Sequence, residues 1–488
     1  MLFNSFEFLV FLPAVFLIYW AIGYAGLKDS LKLRLQNAFV VIASYVFYGW
    51  WDWRFLILIA FTSICSWGSG IFIANSRESR VKRSKFWLWL NIAINLGILG
   101  VFKYYDFFVS EFITTFFPES VQPSLLHSFT LKIILPVGIS FYTFQALSYS
   151  IDVYRGNIKP TKDIIAFFAY ISFFPQLVAG PIERATNLLP QFLQNRKFSY
   201  EQGVDGMRQI LWGLFKKIVI ADNCATYVDQ VWSTYGTQSG STLLLAAILF
   251  TFQIYGDFSG YSDIAIGTAK LFGIKLMRNF NNPYFSRDIA EFWRRWHISL
   301  TTWFRDYVYI PLGGSRVGKW KIVRNTFIIF LVSGIWHGAN WTFLAWGAYH
   351  ALLFLPLILL GKNRKYTGQA AEGRWLPTWQ EALQMLITFA LVVIGWIIFR
   401  AETIGQAWIY LCSMCSSSFM SIPDHGGIHA LLANIGLLIC IEWLMRNRNH
   451  GLDITSVPAY LRYAIYVVIL FIIFAFGGNT VNFIYFQF

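Results

Sequence analysis

Long stretches of uncharged, apolar sequence recur along this chain and restrict it to folds that lie in a membrane. Four of them are Phe8–Tyr24, Phe55–Ile73, Ala382–Phe399 and Tyr463–Gly477. Each has about 15–20 residues, close to the length of a helix that crosses a bilayer core of roughly 30 Å. Only 13% of the residues are charged, whereas soluble proteins carry about 25%. The sequence therefore predicts an all-α, polytopic membrane protein whose solvent is the lipid bilayer.

The basic residues form short clusters between the apolar segments, as they do in the cytoplasmic loops of membrane proteins. The clusters lie at Lys28–Arg34, Arg77–Lys85, Arg155–Lys162, Lys362–Lys365 and Arg446–Arg448. They explain the net charge of +14 as membrane topology, so no nucleic-acid partner is expected. The first apolar segment has no basic residue before it and no small-residue cleavage site after it, which predicts a retained anchor.

Alternation of the clusters, with Met1 outside, predicts a series of crossings. They are Phe8–Tyr24, Asn37–Trp50, Phe55–Ala74, Phe86–Phe102, Leu131–Asp152, Trp341–Leu360, Ala382–Phe399, Ile428–Met445 and Tyr463–Gly477. Between residues 185 and 325, polar residues mix with aromatic ones, which predicts short, interrupted or interfacial helices. We find no internal repeat or linker and therefore expect one transmembrane domain, residues 1–488, with an extracytoplasmic C-terminal tail at 479–488.

The cysteines give no sign of a metal or redox site. Five are scattered along the chain, and Cys412 and Cys415 form a lone C-x-x-C pair. Neither a second pair nor a histidine cluster accompanies them. We expect no metal and no bound cofactor.

The segment Arg287–Leu312 has the periodicity of a basic amphipathic helix lying in the membrane surface. Its apolar face would contain Ile289, Phe292, Trp293, Trp296, Leu300, Phe304 and Tyr307. His297 falls at the edge of this face, where an imidazole bonded to a phosphate or a carbonyl is one interpretation. Arg294 and Arg295 lie on the polar face and are candidate ligands of an anionic acyl donor.

A second histidine, His337, lies in the stretch SGIWHGANW between two long apolar runs. Gly334, Gly338 and Asn340 weaken a helix here, and broken backbone at membrane depth is tolerated only inside protein or beside a cavity. An ionisable residue at that depth is a candidate functional residue. We expect His337 to face a pocket, with Trp336 beside it and Asn340 orienting it. A neutral histidine bonded between helices is the alternative.

A lone histidine without metal partners suits general-base chemistry, in which the imidazole takes a proton from a hydroxyl group. Acyl transfer to that hydroxyl fits the pattern. A proton-linked transporter of an acyl or sugar species, with the histidine as a relay, also fits. A scaffold for a periplasmic transferase is a third possibility, and the residue pattern alone does not separate the three.

Several motifs, in order along the chain, resemble the membrane-bound O-acyltransferase (MBOAT) superfamily and its bacterial alginate O-acetyltransferase group. They are FFPQLVAGPIER (173–184), QIYGDFSGYSDIAIG (253–267), FWRRWHISLTTWFRDYVYIPLGG (292–314), WHGANW (336–341) and FIYFQF (483–488). The resemblance implies a ring of tilted transmembrane helices with re-entrant and interfacial amphipathic helices. It gives His337 the role of catalytic base and His297 that of the second signature histidine.

The same resemblance implies the substrates and the location. The acyl donor would be acetyl-CoA, as a co-substrate, and the acceptor an extracytoplasmic polysaccharide at a bacterial inner membrane. Alginate is favoured by overall motif similarity, and relatives act on cellulose, peptidoglycan or teichoic acid. A periplasmic SGNH-type acetyltransferase is the expected partner.

The terminal FIYFQF also resembles the F-x-Y-x-x-F tail of the small partner protein in D-alanylation systems, in which the tyrosine is proposed to carry the acyl group. A phenol with a pKa near 10 is easier to deprotonate than a sugar hydroxyl. Tyr485 is therefore a candidate acyl carrier, seated by Phe483 and Phe488. An interfacial aromatic belt is the other interpretation of this tail.

Overall fold

The structure is a computed structural model that describes residues 1–77, 81–131, 134–424, 426–478, 481 and 483–484. The described residues form helices and connecting segments, without a β-strand among them. The chain divides into two compact units. The first unit comprises Met1–Gly203 and Thr268–Leu276, and the second comprises Val204–Gly267 and Met277–Phe488.

The first unit is formed by the N-terminal helices. They are α1 (Phe6–Tyr24), α2 (Asp29–Asp52), α3 (Leu56–Arg77), α4 (Val81–Leu99), α5 (Tyr105–Phe116), α6 (Gln122–Phe129), α7 (Ile139–Arg155), α8 (Ile164–Ser172), α9 (Phe174–Leu177) and α10 (Ala185–Phe192). The later segment Thr268–Leu276 belongs to this unit because Tyr19 and Trp20 of α1 donate side-chain hydrogen bonds to the carbonyl groups of Phe272 and Leu271.

The second unit contains most of α11 and nearly all of the remaining helices. They are α11 (Tyr200–Leu214), α12 (Asp222–Ser233), α13 (Gly240–Leu271), α14 (Ile289–Arg295), α15 (Ile298–Phe304), α16 (Lys319–His337), α17 (Trp341–Leu359), α18 (Trp379–Arg400), α19 (Ile404–Met414), α20 (His429–Leu444) and α21 (Ala459–Phe476). Two π-helical turns, Phe215–Ala221 and Arg305–Tyr309, continue α11 and α15.

Seven helical stretches of the described chain are long and apolar enough to cross a membrane. They are Phe6–Tyr24, Asp29–Arg77, Val81–Phe116, Gly240–Leu271, Trp341–Leu359, Trp379–Arg400 and Ala459–Phe476. Most of the predicted crossings coincide with these stretches, and Ile428–Met445 coincides with the shorter apolar helix α20. The prediction of a multi-pass, all-α membrane protein is confirmed.

The predicted crossing at Leu131–Asp152 is wrong in its extent. The helix there, α7, begins only at Ile139, and nearly all of its side chains are buried inside the first unit. Contacts with α3 and α4 are close, because a Cβ atom on Gly70 would lie 2.5 Å from the Tyr149 ring. A helix so enclosed by protein takes its apolar character from packing, not from lipid.

The long amphipathic helix predicted for Arg287–Leu312 is also wrong, because the segment forms α14, α15 and a π-helical turn. Asp288 caps α14 by accepting a hydrogen bond from the Glu291 amide at 2.7 Å. Most residues of α14 and α15 are buried, and Glu291 on the polar face is only 1% exposed, whereas Arg305 and Ile310 beyond them are exposed. Helices α14 and α15 are therefore part of the protein interior, and the π-helical turn that follows them is more exposed.

Helices α16 and α17 form a closely packed hairpin. A Cβ atom on Gly334 would lie 2.3 Å from the carbonyl oxygen of Phe343, and one on Gly347 would lie 2.4 Å from that of Phe330. Small residues allow the two backbones to approach in this way. Gly334 lies within α16, so its role is close packing and not the interruption of the helix.

Candidate active site

His337 is the last residue of α16, at the interruption that its sequence predicts. Gly338 follows in an extended conformation, and a Cβ atom there would lie 2.1 Å from the Phe343 ring. Asn340 caps α17: its side-chain oxygen accepts a hydrogen bond from the Thr342 amide at 2.9 Å, and its side-chain nitrogen donates to the Glu402 carbonyl at 2.8 Å. These bonds show Asn340 fixing the start of α17, and the expected orienting contact with His337 is not among them.

A cluster of aromatic side chains surrounds His337, which is 4% exposed. The ring centroids of Trp336, Trp346 and Phe399 lie 5.0, 5.2 and 5.4 Å from that of the imidazole. Edge-to-face contacts of this kind hold a ring in one orientation. His350 belongs to the same aromatic cluster, since its ring is 5.0 Å from that of Trp346. Its Nδ1 accepts a 3.4 Å hydrogen bond from the Trp293 indole.

His297 lies at the junction between α14 and α15 in a left-handed conformation, with φ 44° and ψ 53°. Such a backbone costs of order 1–3 kcal/mol for a residue with a side chain. The residue is 1% exposed. Because His297 lies between the two helices, its side chain does not follow the periodicity of either one. A single amphipathic helix therefore describes the segment poorly.

The hydrogen bonds of Asn279 define the tautomer of His297. The backbone amide and the hydroxyl group of Ser299 donate to the Asn279 side-chain oxygen at 3.3 and 2.9 Å, and its side-chain nitrogen donates to the hydroxyl oxygen of Ser262 at 3.1 Å. His297 Nδ1 lies 3.1 Å from that same oxygen. Because this oxygen is an acceptor, Nδ1 must carry the proton of the neutral imidazole. The lone pair is then on Nε2.

The Nε2 atom of His297 is buried and has no hydrogen-bond partner among the described residues. The residue lies outside the seven long apolar stretches, and burial lowers its pKa to about 3. The imidazole is therefore neutral at physiological pH and able to accept a proton or a hydrogen bond at Nε2.

The fold brings the two predicted histidines to one side chain, Trp336. The His297 centroid lies 6.0 Å from the Trp336 ring, and His337 contacts the same indole at 5.0 Å. Phe258 of α13 packs on the His297 ring, with centroids 4.6 Å apart. The tertiary structure thus gathers residues that are forty positions apart in sequence into one aromatic site.

Arg295, predicted to bind the acyl donor, is bonded within the protein. All five of its N–H groups donate within the protein, to the Glu291 carboxylate, the carbonyl groups of Asn281 and Gly368, and the Gln369 side chain. The side chain is 5% exposed. A guanidinium group with its donors used in this way is a structural element of the core.

Arg294 also binds backbone. Its guanidinium group donates to the carbonyl groups of Asn363 and Tyr366. Both arginines therefore hold the segment between α17 and α18, and their predicted role in donor binding stays a prediction.

The C-terminal tail contacts the same stretch of α13. The ring of Phe483 lies 5.0 Å from that of Tyr261 and 6.1 Å from that of Phe258. The amide of Ile484 donates to the Asp257 carboxylate at 2.6 Å. Tyr485 and Phe488 lie outside the described residues, so their predicted roles stay predictions.

Three residues around His297 and the tail were not predicted as site residues from the sequence: Asn279, Phe258 and Asp257. Charged residues inside the apolar helix α13 were a usable signal for Asp257, because carboxylates are rare in such helices and are functional when present. Asn279 had no such signal, since it lies eighteen residues before His297. Cys412 and Cys415 are exposed, and no group of three or more His, Cys, Asp or Glu that could hold a metal occurs in the described chain.

A small polar cavity adjoins the His297 site through Asn279. Lys216 and Arg278 line it, together with Asp263, Glu442 and other residues of the second unit. Lys216 pairs with Asp263 at 2.6 Å, and Arg278 donates to the Phe280 carbonyl at 2.7 Å. The cavity thus contains cationic and acidic side chains together, and its cations are bonded within the protein.

Residues 159–394 match the model of the membrane-bound O-acyltransferase family. The chain is 41% identical over 434 residues to the probable alginate O-acetylase AlgI of Pseudomonas aeruginosa, an alignment that covers 88% of this chain and 79% of that protein.

Two further relatives carry different names. The chain is 34% identical to the peptidoglycan O-acetyltransferase of Helicobacter pylori, over 92% of this chain and 90% of that protein. It is 30% identical to the teichoic acid D-alanyltransferase of Bacillus subtilis, over 54% of this chain and 69% of that protein. These similarities favour acyl transfer over transport or a scaffold. The chain belongs to the membrane-bound O-acyltransferase family, and it is an O-acyltransferase.

Proposed function

We propose that this enzyme moves an acetyl group from cytoplasmic acetyl-CoA to an extracytoplasmic polysaccharide, with alginate as the favoured polymer. The observation that carries the proposal is the pair of histidines on Trp336, of which His297 presents a neutral Nε2 lone pair. Such a site suits proton removal from a hydroxyl group that attacks a thioester. Similarity to the Pseudomonas aeruginosa protein supports alginate, and similarity to the Helicobacter pylori protein makes peptidoglycan the second candidate.

The proposed first step is transfer to the tail. The phenol oxygen of Tyr485 attacks the thioester carbonyl carbon, the new C–O bond forms, and the C–S bond breaks. His337 takes the phenol proton, and that proton returns to the departing thiolate of coenzyme A. Before this transfer, the Nε2 lone pair of His297 accepts the hydrogen bond of the entering phenol and orients its oxygen, and the single O–H then turns to His337.

The described part of the tail supports this role of Tyr485. Phe483 packs on Phe258, the same ring that contacts His297. Ile484, the residue before Tyr485, is held by Asp257. In the proposed second step, a periplasmic SGNH-type transferase moves the acetyl group from the phenol to a sugar hydroxyl, which regenerates the tail.

The donor requires cationic contacts for its phosphate groups. The basic loops predicted to face the cytoplasm would draw the anionic donor to that side of the membrane.

The test uses purified protein in lipid nanodiscs with acetyl-CoA labelled in the acetyl group. We expect label on the peptide that contains Tyr485, and no label there in Tyr485→Phe, which keeps the aromatic ring and removes the nucleophile. In cells, Tyr485→Phe should abolish polymer acetylation. Normal polymer acetylation by Tyr485→Phe would refute the carrier role and favour an aromatic belt. Intact donor after incubation with the wild-type protein and acceptor would refute acetyl-CoA as the substrate.

A further inference from the structure

A buried cluster of charges lies on the second unit outside the histidine site. The π-helical turn Phe215–Ala221 directs Lys217 inward, where its ammonium group lies 2.7 Å from a carboxylate oxygen of Asp222 and 2.7 Å from one of Asp257. All three side chains are almost fully enclosed, at 3–6% exposure. Charges buried to this degree persist only when they are paired and hydrogen-bonded.

The backbone of the C-terminal tail completes this cluster. Lys217 donates to the carbonyl group of Val481 at 3.1 Å, and the Ile484 amide donates to Asp257 at 2.6 Å. An ammonium group has three protons, and Asp222, Asp257 and Val481 supply three acceptors. Two carboxyl groups thus face one cation, and the N–H group of Ile484 donates to one of them.

Both tail groups that the cluster binds belong to the main chain. The recognition therefore depends on where the tail runs, while the side chain of Phe483 fills the apolar space between Tyr261 and Phe258. Asp257 and Phe258 are consecutive residues of α13, and Phe258 packs on His297 at 4.6 Å. The same turn of helix thus holds both the tail and the histidine.

We propose that Lys217 and Asp257 form a clamp that binds the tail backbone at Val481 and Ile484 and holds it against the turn of α13 that packs on His297. The two residues are positioning residues, and they act through the tail. The link to acyl transfer rests on the proposed function, because it takes Tyr485 as the acceptor. The clamp itself requires only that the tail is held.

The first experiment measures how accessible residue 484 is. Ile484→Cys keeps the backbone N–H group, and the exposed thiols Cys412, Cys415 and Cys440 are changed to serine. Labelling with a maleimide in nanodiscs, read by mass spectrometry of the tail peptide, should be slow because Ile484 is buried. Adding Asp257→Asn should accelerate it by roughly tenfold or more, as expected when a buried, charge-assisted contact is lost. An amide cannot satisfy both sides, since its NH₂ group must face either the ammonium group or the Ile484 N–H group.

The matched control is Lys216→Met. Lys216 precedes Lys217, lies in the same turn, is equally buried and pairs with Asp263 at 2.6 Å, and its described bonds do not reach the tail. We expect labelling at the rate of the parent protein. Equal labelling in the parent and in Asp257→Asn would overturn the clamp, and so would acceleration by Lys216→Met as large as that by Asp257→Asn.

A second measurement needs no substitution, so it tests the clamp even if a variant fails to fold. Hydrogen exchange of the wild-type Ile484 amide should be slowed by its bond to Asp257, and exchange at the rate of a free peptide would overturn the clamp. Acetylation of Tyr485, measured in the same samples, separates the two proposals. A held tail without any acetyl-tyrosine contradicts the carrier role and leaves the clamp standing, whereas an acetylated but unprotected tail contradicts only the clamp.

Discussion

The side-chain oxygen of Asn279 lies 3.1 Å from Nδ1 of His297, and the Ser299 amide donates to that oxygen as well. The orientation of the asparagine is therefore fixed, and it holds the proton of the imidazole on Nδ1. A partner that selects the tautomer of a histidine in this way controls which nitrogen can act as a base. Asn279 is thus a positioning residue for His297.

Asn279→Asp should make the activity depend on pH in a range where that of the wild-type protein does not. Burial lowers the pKa of His297 to about 3, so the wild-type imidazole keeps its lone pair well below neutral pH. A carboxylate at Nδ1 favours the imidazolium and raises the pKa, typically by about 1–3 units. Protonated His297 has no lone pair, so activity should fall on acidification at a higher pH than in the wild-type protein. The pH dependence of kcat measures this shift. Ser299→Ala is the control, because it removes a hydrogen bond to the same oxygen without adding a charge. If activity falls at the same acidic pH in Asn279→Asp and in the wild-type protein, the assignment is contradicted.

His337→Ala should lower kcat by about 10²–10⁴-fold, the usual effect of removing a general base, in a protein that still inserts and folds. His297→Ala should reduce kcat as well, since its buried lone pair belongs to the same site. Residues that act as a unit give non-additive losses, so the double variant should be hardly slower than His337→Ala alone. Multiplicative losses would show that the two imidazoles act independently, and near-normal activity of His337→Ala would remove it from the chemistry.

Arg295→Ala should destabilise the protein instead of weakening the binding of the acyl donor. The substitution leaves Glu291 with one guanidinium partner fewer in a buried site, and breaking a buried pair costs about 3–5 kcal/mol. Thermal unfolding in detergent should shift to lower temperature, while the KM for the donor in the folded fraction stays unchanged. A raised KM with unchanged unfolding temperature would restore Arg295 as a donor ligand.

Gly334→Ala should destabilise the α16–α17 hairpin, since the added methyl group would lie 2.3 Å from a backbone oxygen that cannot rotate away. Overpacking of this kind typically costs about 1–3 kcal/mol. Gly436→Ala in α20 is the matched control, because no atom lies within 4 Å of its added methyl group. Thermal unfolding of the two variants measures the difference, and equal unfolding temperatures would show that the hairpin can separate without cost.

The amino-acid sequence by itself determined the membrane class and most of the helices, because a segment that crosses lipid needs an uninterrupted apolar run of fixed length. It also located the interruption after His337, since Gly338 has no side chain to clash with Phe343 and Asn340 caps the next helix. These are local properties, set by the backbone preferences of a few consecutive residues.

Only the tertiary structure decided the surroundings of His297 and the roles of the arginines. Helical periodicity reports that one face of Arg287–Leu312 is apolar, but it does not distinguish lipid from protein as the partner of that face. Here, protein covers most of α14 and α15, Arg295 bonds inward to Glu291 and the chain turns left-handed at His297. The tautomer of His297 depends on Asn279, and the position of the tail depends on Lys217 and Asp257, at separations of 18 to 264 residues. Contacts between residues so distant in the chain leave no periodic trace in the sequence, because folding alone brings them together.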